Sequence, residues 1–341
     1  MSARLGVLIA TYLEPDLVAR IAAVDARLDV IYEPDILPVP RYVADHTGTP
    51  RRLTPAQQDR WTKALAAADV SWDFDWQAPA DLPARAPGLR WVQATRAGIG
   101  GFVRSTGLDR TDLTFTTAAG VHAVPLAEFA VLGALHFVKG VPTLRARQAA
   151  HHWERFTTAQ LAGRTVTVVG LGGIGRQVIA SFAALGTHVL AVGRPGRSYD
   201  VAAPAHSIGD LDDLLPRTDV LVVCTPLTDE TEGMISAARI ARLKPGAIVV
   251  NIGRGPVVDE AALADALRTG ALAGAALDVF ETEPLPADSP LWDLDNVLVS
   301  PHSASTVDTE NAAITELFAD NLRRWLEGRE LRNVYRRELG Y

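Results

Sequence analysis

Short apolar runs alternate with stretches of helical periodicity in the first third of the chain. The runs have the length of buried strands, and the stretches between them carry apolar residues on one helical face. This pattern predicts four strands (5–10, 29–32, 89–94 and 113–118) and helices over 16–28 and 55–68. Strands that alternate with helices favour a parallel α/β layer.

A second series of strands and helices begins after Arg164. Its apolar runs predict six strands, at 165–169, 188–192, 219–224, 247–252, 273–279 and 296–300. Six strands in this alternation are typical of a doubly wound sheet. Between the two series, Pro125 opens a strongly apolar helix over 125–138, since proline suits a first helical position. The stretch 309–327 predicts a final amphipathic helix.

Glycines mark the turn between the first strand of the second series and its helix. Gly170, Gly172 and Gly175 form the pattern G-x-G-x-x-G. The first glycine permits a tight turn, the second lets the backbone approach a pyrophosphate, and the third allows close helix–strand packing. The helix N-terminus, with Gly173 and Ile174, offers unpaired N–H groups to phosphates. In this context the motif predicts a dinucleotide site, although the glycines alone would also suit a packing turn.

The next strand lacks the acid that usually follows this motif by about 20 residues and holds the ribose 2′-OH. It ends in Gly193 and Arg194, with Arg197 close behind. A guanidinium can grip a 2′-phosphate through paired hydrogen bonds, whereas a carboxylate would repel it. We therefore expect NADP(H) to be preferred over NAD(H). If both arginines are only solvated loop residues, the cofactor is NAD.

Composition narrows the classes of partner. The chain has 341 residues, 48% of them hydrophobic and 21% charged, and a net charge of -7. The acidic balance and the lack of a dense basic run argue against nucleic acid as a partner. The single cysteine, Cys224, rules out an internal disulfide and suits the cytoplasm. No membrane partner is expected, because the longest apolar helix carries Glu128 and His136.

Three polar residues follow strands of the second series. Arg254, Glu283 and His302 each lie at or just beyond the carboxyl end of a predicted strand. Ligands of open α/β sheets bind outside these ends, so we expect the three side chains to face one crevice. No metal ligand is predicted, since His151 and His152 lack the spacing of a zinc motif.

The ordered motifs along the chain resemble those of the D-isomer-specific 2-hydroxyacid dehydrogenase family. They are GRTVTVVGLGGIGR, CTPLTDETEGMIS, LKPGAIVVNIGRGPVVDE, ALDVFETEPLP, DNVLVSPHSAS and NLRRWLEGRELRNV. The GRPGR segment after the second strand is similar to that of NADPH-preferring glyoxylate/hydroxypyruvate reductases of the family. The resemblance implies a hydride transfer between NAD(P)H and a small 2-oxo acid, giving a D-2-hydroxy acid.

Arg254, Glu283 and His302 match the family's catalytic set, and their charges suggest their roles. Arg254 would bind the substrate carboxylate and polarise the ketone. His302 would donate a proton to the oxygen as hydride reaches C2, and it would also lie beside the cofactor. Glu283 would orient the imidazole and stabilise its charged form.

Other matching positions are implied by the resemblance alone. On the cofactor side they are Thr225, Pro226, Ile252, Gly253 and Asp278. The turn RAGIGG resembles the loop that binds the substrate carboxylate, with Gly98 and Ile99 as backbone donors and Arg96 as an added positive charge. Gly100 replaces an acid common in that loop, and His122 replaces a more usual Asn at the expected hinge, where its role stays open.

The resemblance also implies two domains and a homodimer. A smaller flavodoxin-like α/β substrate domain would comprise 1–121 and be completed by 302–341, and a doubly wound parallel Rossmann cofactor domain would comprise 122–301. The cleft between them would close on the ligand and exclude water. The helix from Pro125 and the segment 141–153 resemble the family's dimer-forming region.

Two alternatives remain open on sequence grounds. One is a phosphite-type dehydrogenase on the same fold, which the three catalytic positions do not exclude. The other is a dinucleotide-sensing binding protein like the family's transcriptional corepressors. Turnover of 2-oxo acids with reduced cofactor distinguishes an enzyme from a sensor. The sequence alone does not name the side chain of the substrate.

Overall fold

The computed structural model describes residues 4–338 and shows two compact units. The first unit comprises the described residues up to His122 and those from Thr306 onward. The second unit is the continuous segment Ala123–Ser305.

Twelve β-strands, all paired in parallel, occur in the described part of the chain. They are β1 (Leu5–Ile9), β2 (Leu28–Ile31), β3 (Val70–Trp72), β4 (Trp91–Gln93), β5 (Thr114–Thr116), β6 (Thr165–Val169), β7 (His188–Gly193), β8 (Ala205–Ser207), β9 (Val220–Val223), β10 (Ala247–Asn251), β11 (Leu272–Leu277) and β12 (Val297–Val299).

Eleven α-helices accompany these strands within residues 4–338. They are α1 (Pro15–Ala22), α2 (Pro55–Ala66), α3 (Leu82–Arg85), α4 (Gly100–Ser105), α5 (Ala123–Val138), α6 (Val141–Ala149), α7 (Gly173–Ala184), α8 (Leu211–Leu214), α9 (Ala237–Ile240), α10 (Glu260–Arg268) and α11 (Glu310–Leu326). Short 3₁₀ helices lie at Pro79–Asp81, Leu108–Arg110, Ile208–Asp210, Leu215–Arg217, Gly255–Val257 and Pro290–Asp293.

The first unit is a five-stranded sheet in the order β2-β1-β3-β4-β5, with helices on both faces. Alternation along β1 sends Leu8 into the cluster with Trp61 of α2, and sends Val7 into the opposite cluster with Phe318 of α11. A parallel sheet covered on both faces requires nearly continuous apolar strands, and all five residues of β1 are buried.

The second unit is a seven-stranded sheet in the order β12-β11-β10-β9-β6-β7-β8. The chain reverses its direction of travel across the sheet between β6 and β9, which makes this pair the topological switch point. Helix α5 lies tightly on the sheet, because a Cβ placed on Gly133 would come within 2.4 Å of the Ala276 Cβ. This order, with the flavodoxin-like order of the first unit, confirms the predicted fold class.

No single helix among residues 4–338 has both the length and the apolarity to cross a membrane. Helices α5 and α6 reach such a length and apolarity only together, and a 62° bend separates the two.

Several predicted elements differ from those observed. The helix predicted over 16–28 ends at Ala22, and the Asp25 carboxylate then accepts the Arg27 N–H in a turn. The predictions omitted β3, β8 and α4. Strands β3 and β8 have only three residues each and contain polar positions, and α4 begins with two glycines, so none of them has the expected pattern.

The boundaries of the two units differ from the predicted 121/122 and 301/302. His302 belongs to the second unit, because the Asp278 carboxylate ties the loop around it to β11 through Ser303 and Ala304. His122 belongs to the first unit, where its Nε2 lies 3.1 Å from Glu310 Oε1 at the start of α11.

Candidate functional site

The glycine turn after β6 has no room for larger residues at two positions. Gly170 has φ 105°, and a Cβ there would lie 2.8 Å from the Cys224 carbonyl oxygen. A Cβ on Gly175 would lie 1.8 Å from the Gly170 carbonyl oxygen. The turn is therefore packed against the end of β9, at the switch point of the sheet.

The opening of α7 is suited to an anion. Gly172 is the N-cap of this twelve-residue helix, no side chain caps it, and a Cβ placed on Gly172 meets nothing within 4 Å. Helix N-terminal N–H groups such as those of Gly173 and Ile174 bind phosphate when they face open space. Beside this turn, the Thr225 hydroxyl is buried and has no hydrogen-bond partner within the protein. These features fit a bound dinucleotide.

The remaining positions predicted to bind the cofactor lie on neighbouring strand ends. A Cβ on Gly253 would lie 2.7 Å from the Thr225 carbonyl oxygen, so the ends of β9 and β10 are in close contact. Ile252 is buried and its N–H donates to the Val223 carbonyl. The Pro226 carbonyl accepts a hydrogen bond from the Thr231 hydroxyl at 2.7 Å.

Tyr199 packs against the end of β7, at the position where dinucleotide-binding sheets usually carry an acid. A Cβ on Gly193 would lie 2.5 Å from the Tyr199 ring, and the Arg194 N–H donates to the Tyr199 hydroxyl at 2.8 Å. An acidic side chain at position 193 would collide with this ring. Arg194 is half-buried, and Arg197 is exposed in the loop that follows.

His302 and Glu283 form a hydrogen-bonded pair beyond the ends of β12 and β11. His302 Nδ1 lies 2.8 Å from Glu283 Oε2, and both side chains are partly exposed. Glu283 Oε1 also accepts the Phe280 N–H at 3.1 Å, which fixes the carboxylate. His302 adopts φ 53°, a left-handed conformation that costs a non-glycine residue about 1–2 kcal/mol.

The turn that carries Arg254 is packed against the segment that carries Glu283. A Cβ on Gly255 would lie 1.8 Å from the Phe280 carbonyl oxygen. The Arg254 guanidinium donates to the Gly253 carbonyl at 2.6 Å, and the Arg254 carbonyl accepts from the Asn251 amide. The segments that bear the three predicted catalytic residues thus meet at one edge of the sheet.

Asp278 has a further role that the sequence did not reveal. Its Oδ1 accepts hydrogen bonds from the Ser300 hydroxyl at 2.6 Å, the Ser303 N–H at 2.8 Å and the Ala304 N–H at 2.9 Å. Burial raises the pKa of Asp278 above its usual range, against these hydrogen bonds and the nearby His302, which act to lower it. One buried carboxylate therefore anchors both sides of the loop that carries His302.

Arg96, Gly98 and Ile99 lie in the first unit, in the turn after β4. Ile99 is buried, Gly98 is exposed, and the Arg96 guanidinium donates to the Thr47 hydroxyl at 3.3 Å. These three residues lie close together in the first unit, whereas the three catalytic candidates lie in the second.

The comparisons with known proteins identify the family. Residues 131–304 match the family model described as D-isomer specific 2-hydroxyacid dehydrogenase, NAD binding domain. The chain belongs to the D-isomer-specific 2-hydroxyacid dehydrogenase family. The resemblance found in the sequence is therefore confirmed.

One group of curated relatives consists of longer proteins, of which this chain matches about half. D-3-phosphoglycerate dehydrogenase of Mycobacterium leprae is 41% identical over 73% of this chain and 47% of its own length. The chain thus spans about half the length of the curated relatives of this kind that it matches.

Two family structures are similar over nearly their whole length. A dehydrogenase from Xanthobacter autotrophicus Py2, in complex with NADPH and MES, is 30% identical with a TM-score of 0.77, covering 99% of this chain and 100% of that one. An NADPH-dependent glyoxylate/hydroxypyruvate reductase from Sinorhizobium meliloti, in complex with NADP and sulfate, is 27% identical with a TM-score of 0.77 and the same coverage.

Proposed function

We propose that this chain reduces 2-oxo acids to D-2-hydroxy acids with a nicotinamide cofactor. When bound, a reduced nicotinamide cofactor would supply the hydride for the new C–H bond at C2 and would itself become oxidised. His302 gives the proton that the carbonyl oxygen takes up, so the ketone gains two electrons and two hydrogens in all. The reverse reaction uses His302 as the base.

The residues around His302 prepare it for this step. The Glu283 carboxylate accepts from Nδ1 and so directs Nε2 away from itself, towards a substrate oxygen. Arg254 would pair with the substrate carboxylate and stabilise charge that develops on the ketone oxygen.

The observation that carries the proposal is the His302–Glu283 pair at 2.8 Å, beside the turn that bears Arg254. The test is cofactor oxidation, followed at 340 nm, with a panel of 2-oxo acids. We expect His302→Asn to lower kcat by about two to four orders of magnitude while cofactor binding is retained. His188→Asn, at an exposed position on β7, serves as the control. Unchanged turnover in His302→Asn would reject the assignment, and tight cofactor binding without any turnover would favour a sensor.

We further propose that NADPH is preferred over NADH. Tyr199 fills the space of the missing acid, and Arg194 and Arg197 supply positive charge beside it. Arg197→Ala should reduce kcat/KM for NADPH by about 10- to 100-fold and leave the value for NADH nearly unchanged, since each charge-assisted contact contributes about 1.5–3 kcal/mol. Arg217→Ala, an exposed arginine of the same unit, is the control. A wild-type preference for NADH would refute this proposal.

A homodimer is the proposed assembly. Several exposed apolar side chains lie on α5, α6 and the segment that follows them. They are Val124, Leu132, Leu144, Phe156 and Trp153, which is 97% exposed. Exposed apolar surface of this kind marks an interaction site. Light scattering should give twice the mass of one chain, and Leu132→Glu with Trp153→Ala should yield monomers. A monomeric wild type would exclude this assembly.

A further inference from the structure

Two glutamates of the second unit join the segment that carries Glu283 to the start of α10. Glu281 Oε1 accepts the Glu260 N–H at 3.2 Å, and Glu260 Oε2 accepts the Glu281 N–H at 3.0 Å. The two residues are 21 positions apart in sequence, so the contact depends on the fold. Each carboxylate takes the backbone donor of the other residue, and we call Glu260 and Glu281 the reciprocal pair.

The reciprocal pair holds a stretch of chain that has little other support. Residues 281–284 are all exposed, although Phe280 before them is buried in the core. Among the residues that the structure describes, three hydrogen bonds join this stretch to segments distant in sequence. Two belong to the reciprocal pair, and the third is the one between Glu283 and His302. The position of the Glu283 carboxylate therefore depends on the reciprocal pair.

The start of α10 is a favourable place for this contact. Asp259 is the N-cap of the helix and accepts the Ala262 N–H at 3.0 Å, while Glu281 accepts the first N–H of the helix, that of Glu260. The N-terminal N–H groups of a helix have no partner within it and carry partial positive charge. A carboxylate from another segment is therefore stabilised there.

The reciprocal pair also limits how the Glu283 segment can turn relative to the turn that bears Arg254. Only residues 255–259 lie between Arg254 and α10, and a 3₁₀ helix occupies the first three of them. Gly255 packs against the Phe280 carbonyl, which fixes one point of the chain just before Glu283. The reciprocal pair supplies a second point. Two attachments set the direction of a segment, whereas one would let it pivot.

The contact places two carboxyl groups near each other, which costs stability. Burial raises the pKa of Glu260 above its usual range, and the negative charge of Glu281 adds to this effect, against the hydrogen bond from the Glu281 N–H. A glutamine at either position keeps an acceptor oxygen and removes the repulsion. Glutamine variants therefore separate the geometry of the contact from its charge.

We propose that Glu260 and Glu281 are positioning residues that hold the Glu283 carboxylate where it accepts the His302 Nδ1–H. This inference rests on the proposed function, because it adds two residues to the support of the same proton transfer. Both glutamates act through Glu283. Without the reciprocal pair the stretch 281–284 pivots, and fewer molecules present His302 in the productive orientation.

The first experiment measures kcat and KM of Glu281→Ala with the 2-oxo acid that the wild type reduces fastest. We expect kcat to fall about tenfold, and KM for the acid and for the cofactor to change less than about twofold, because Arg254 and the glycine turn are untouched. Glu281→Gln should keep kcat within about twofold of wild type, since it retains the acceptor. Asp295→Ala, at an exposed position of the same unit, is the control. A wild-type kcat in Glu281→Ala, or equal losses in the alanine and glutamine variants, would overturn the proposal.

A double-mutant cycle shows whether Glu281 acts through Glu283. In a Glu283→Ala background no carboxylate remains to be positioned, so Glu281→Ala should change kcat less than about twofold there. An equal loss in both backgrounds would identify a merely structural contribution and overturn the proposal. Glu260→Ala removes the other half of the reciprocal pair and should behave in the same way, which provides a second variant if the first misfolds.

A measurement on the resting protein separates this inference from the proposed function. Proton–nitrogen correlation spectra of isotope-labelled histidines report which ring nitrogen of a neutral imidazole carries the proton, and His302→Asn assigns the His302 signals. We expect the proton on Nδ1 in the wild type and in Glu281→Gln, because Glu283 accepts from this nitrogen. In Glu281→Ala the form protonated on Nε2 should appear.

The two possible failures are then distinguishable. A Glu281→Ala variant that keeps the proton on Nδ1 as fully as the wild type would overturn the positioning role, whether or not the protein turns over any acid. A wild type without turnover of any 2-oxo acid would reject the proposed function, while the expected change in Glu281→Ala would still support the positioning of His302.

Discussion

Replacing Asp278 by alanine tests whether one carboxylate holds the loop that presents His302. The substitution removes the acceptor for three hydrogen bonds and leaves the N–H groups of Ser303 and Ala304 without it. Hydrogen bonds to a charged group contribute about 1.5–3 kcal/mol each, but relief of the buried charge offsets part of the loss. The net loss of unfolding free energy should be about 2–4 kcal/mol.

The assay is urea unfolding followed by fluorescence, together with kcat. Asp278→Ala should unfold at clearly lower urea and lose kcat, because His302 no longer has support for its left-handed backbone conformation. Asp278→Asn keeps an acceptor oxygen and removes the buried charge, so it should lose less than half as much stability. Asp288→Ala, at an exposed position of the same unit, is the control. An Asp278→Ala variant with wild-type unfolding midpoint and kcat would refute this account of the loop.

Three further predictions concern single side chains. Glu283→Gln should lower kcat about 100-fold with little change in cofactor affinity, and an equal loss of affinity would argue for a merely structural role. Although burial alone raises the pKa of Glu310, its hydrogen bond to His122 and the nearby imidazole of His46 outweigh burial and lower that pKa below the ordinary 4.5. The ionised form of Glu310 therefore stabilises the fold above about pH 4.5, and this contribution is lost as the pH falls through the folded pKa. In urea unfolding between pH 3 and 7, Glu310→Gln should lack that part of the acid slope, and a slope identical to wild type would contradict the prediction. Burial raises the pKa of the Cys224 thiol to about 12, so the thiol should not react with a disulfide reagent at pH 8 until the protein unfolds. Rapid labelling of the native protein would contradict this.

The sequence predicted the elements that bury long apolar runs. Strands such as β6 and β9 contain continuous valine-rich segments, and the glycine turn between β6 and α7 has its own pattern. Both indicate a parallel sheet that is covered on its two faces, which is the doubly wound class that was predicted. Strands β3 and β8 were not predicted, because β3 lies between Asp69 and Asp73 and β8 has the sequence AHS, so neither belongs to an apolar run.

The candidate site was predictable as a set of residues and not as a set of contacts. The positions of Arg254, Glu283 and His302 after strand ends indicated that they converge. The anchoring of the His302 loop by Asp278 and the contact of Tyr199 with Gly193 depend on side-chain directions across segments distant in sequence. No spacing rule encodes these contacts, which arise only from the packed fold.

The placement of α11 affects the order in which the nascent chain folds on the ribosome. Phe318 of this helix lies against Trp72 and Trp91, with ring centroids 5.5 and 5.3 Å apart, and so covers one face of the first sheet. The five strands of that sheet are synthesised long before this helix, while the segment Ala123–Ser305 is complete as soon as it has emerged. Until α11 is synthesised, the indole rings of Trp72 and Trp91 therefore lack the cover that Phe318 provides. A chain whose translation stops before Glu310 should expose this apolar surface, aggregate and bind chaperones.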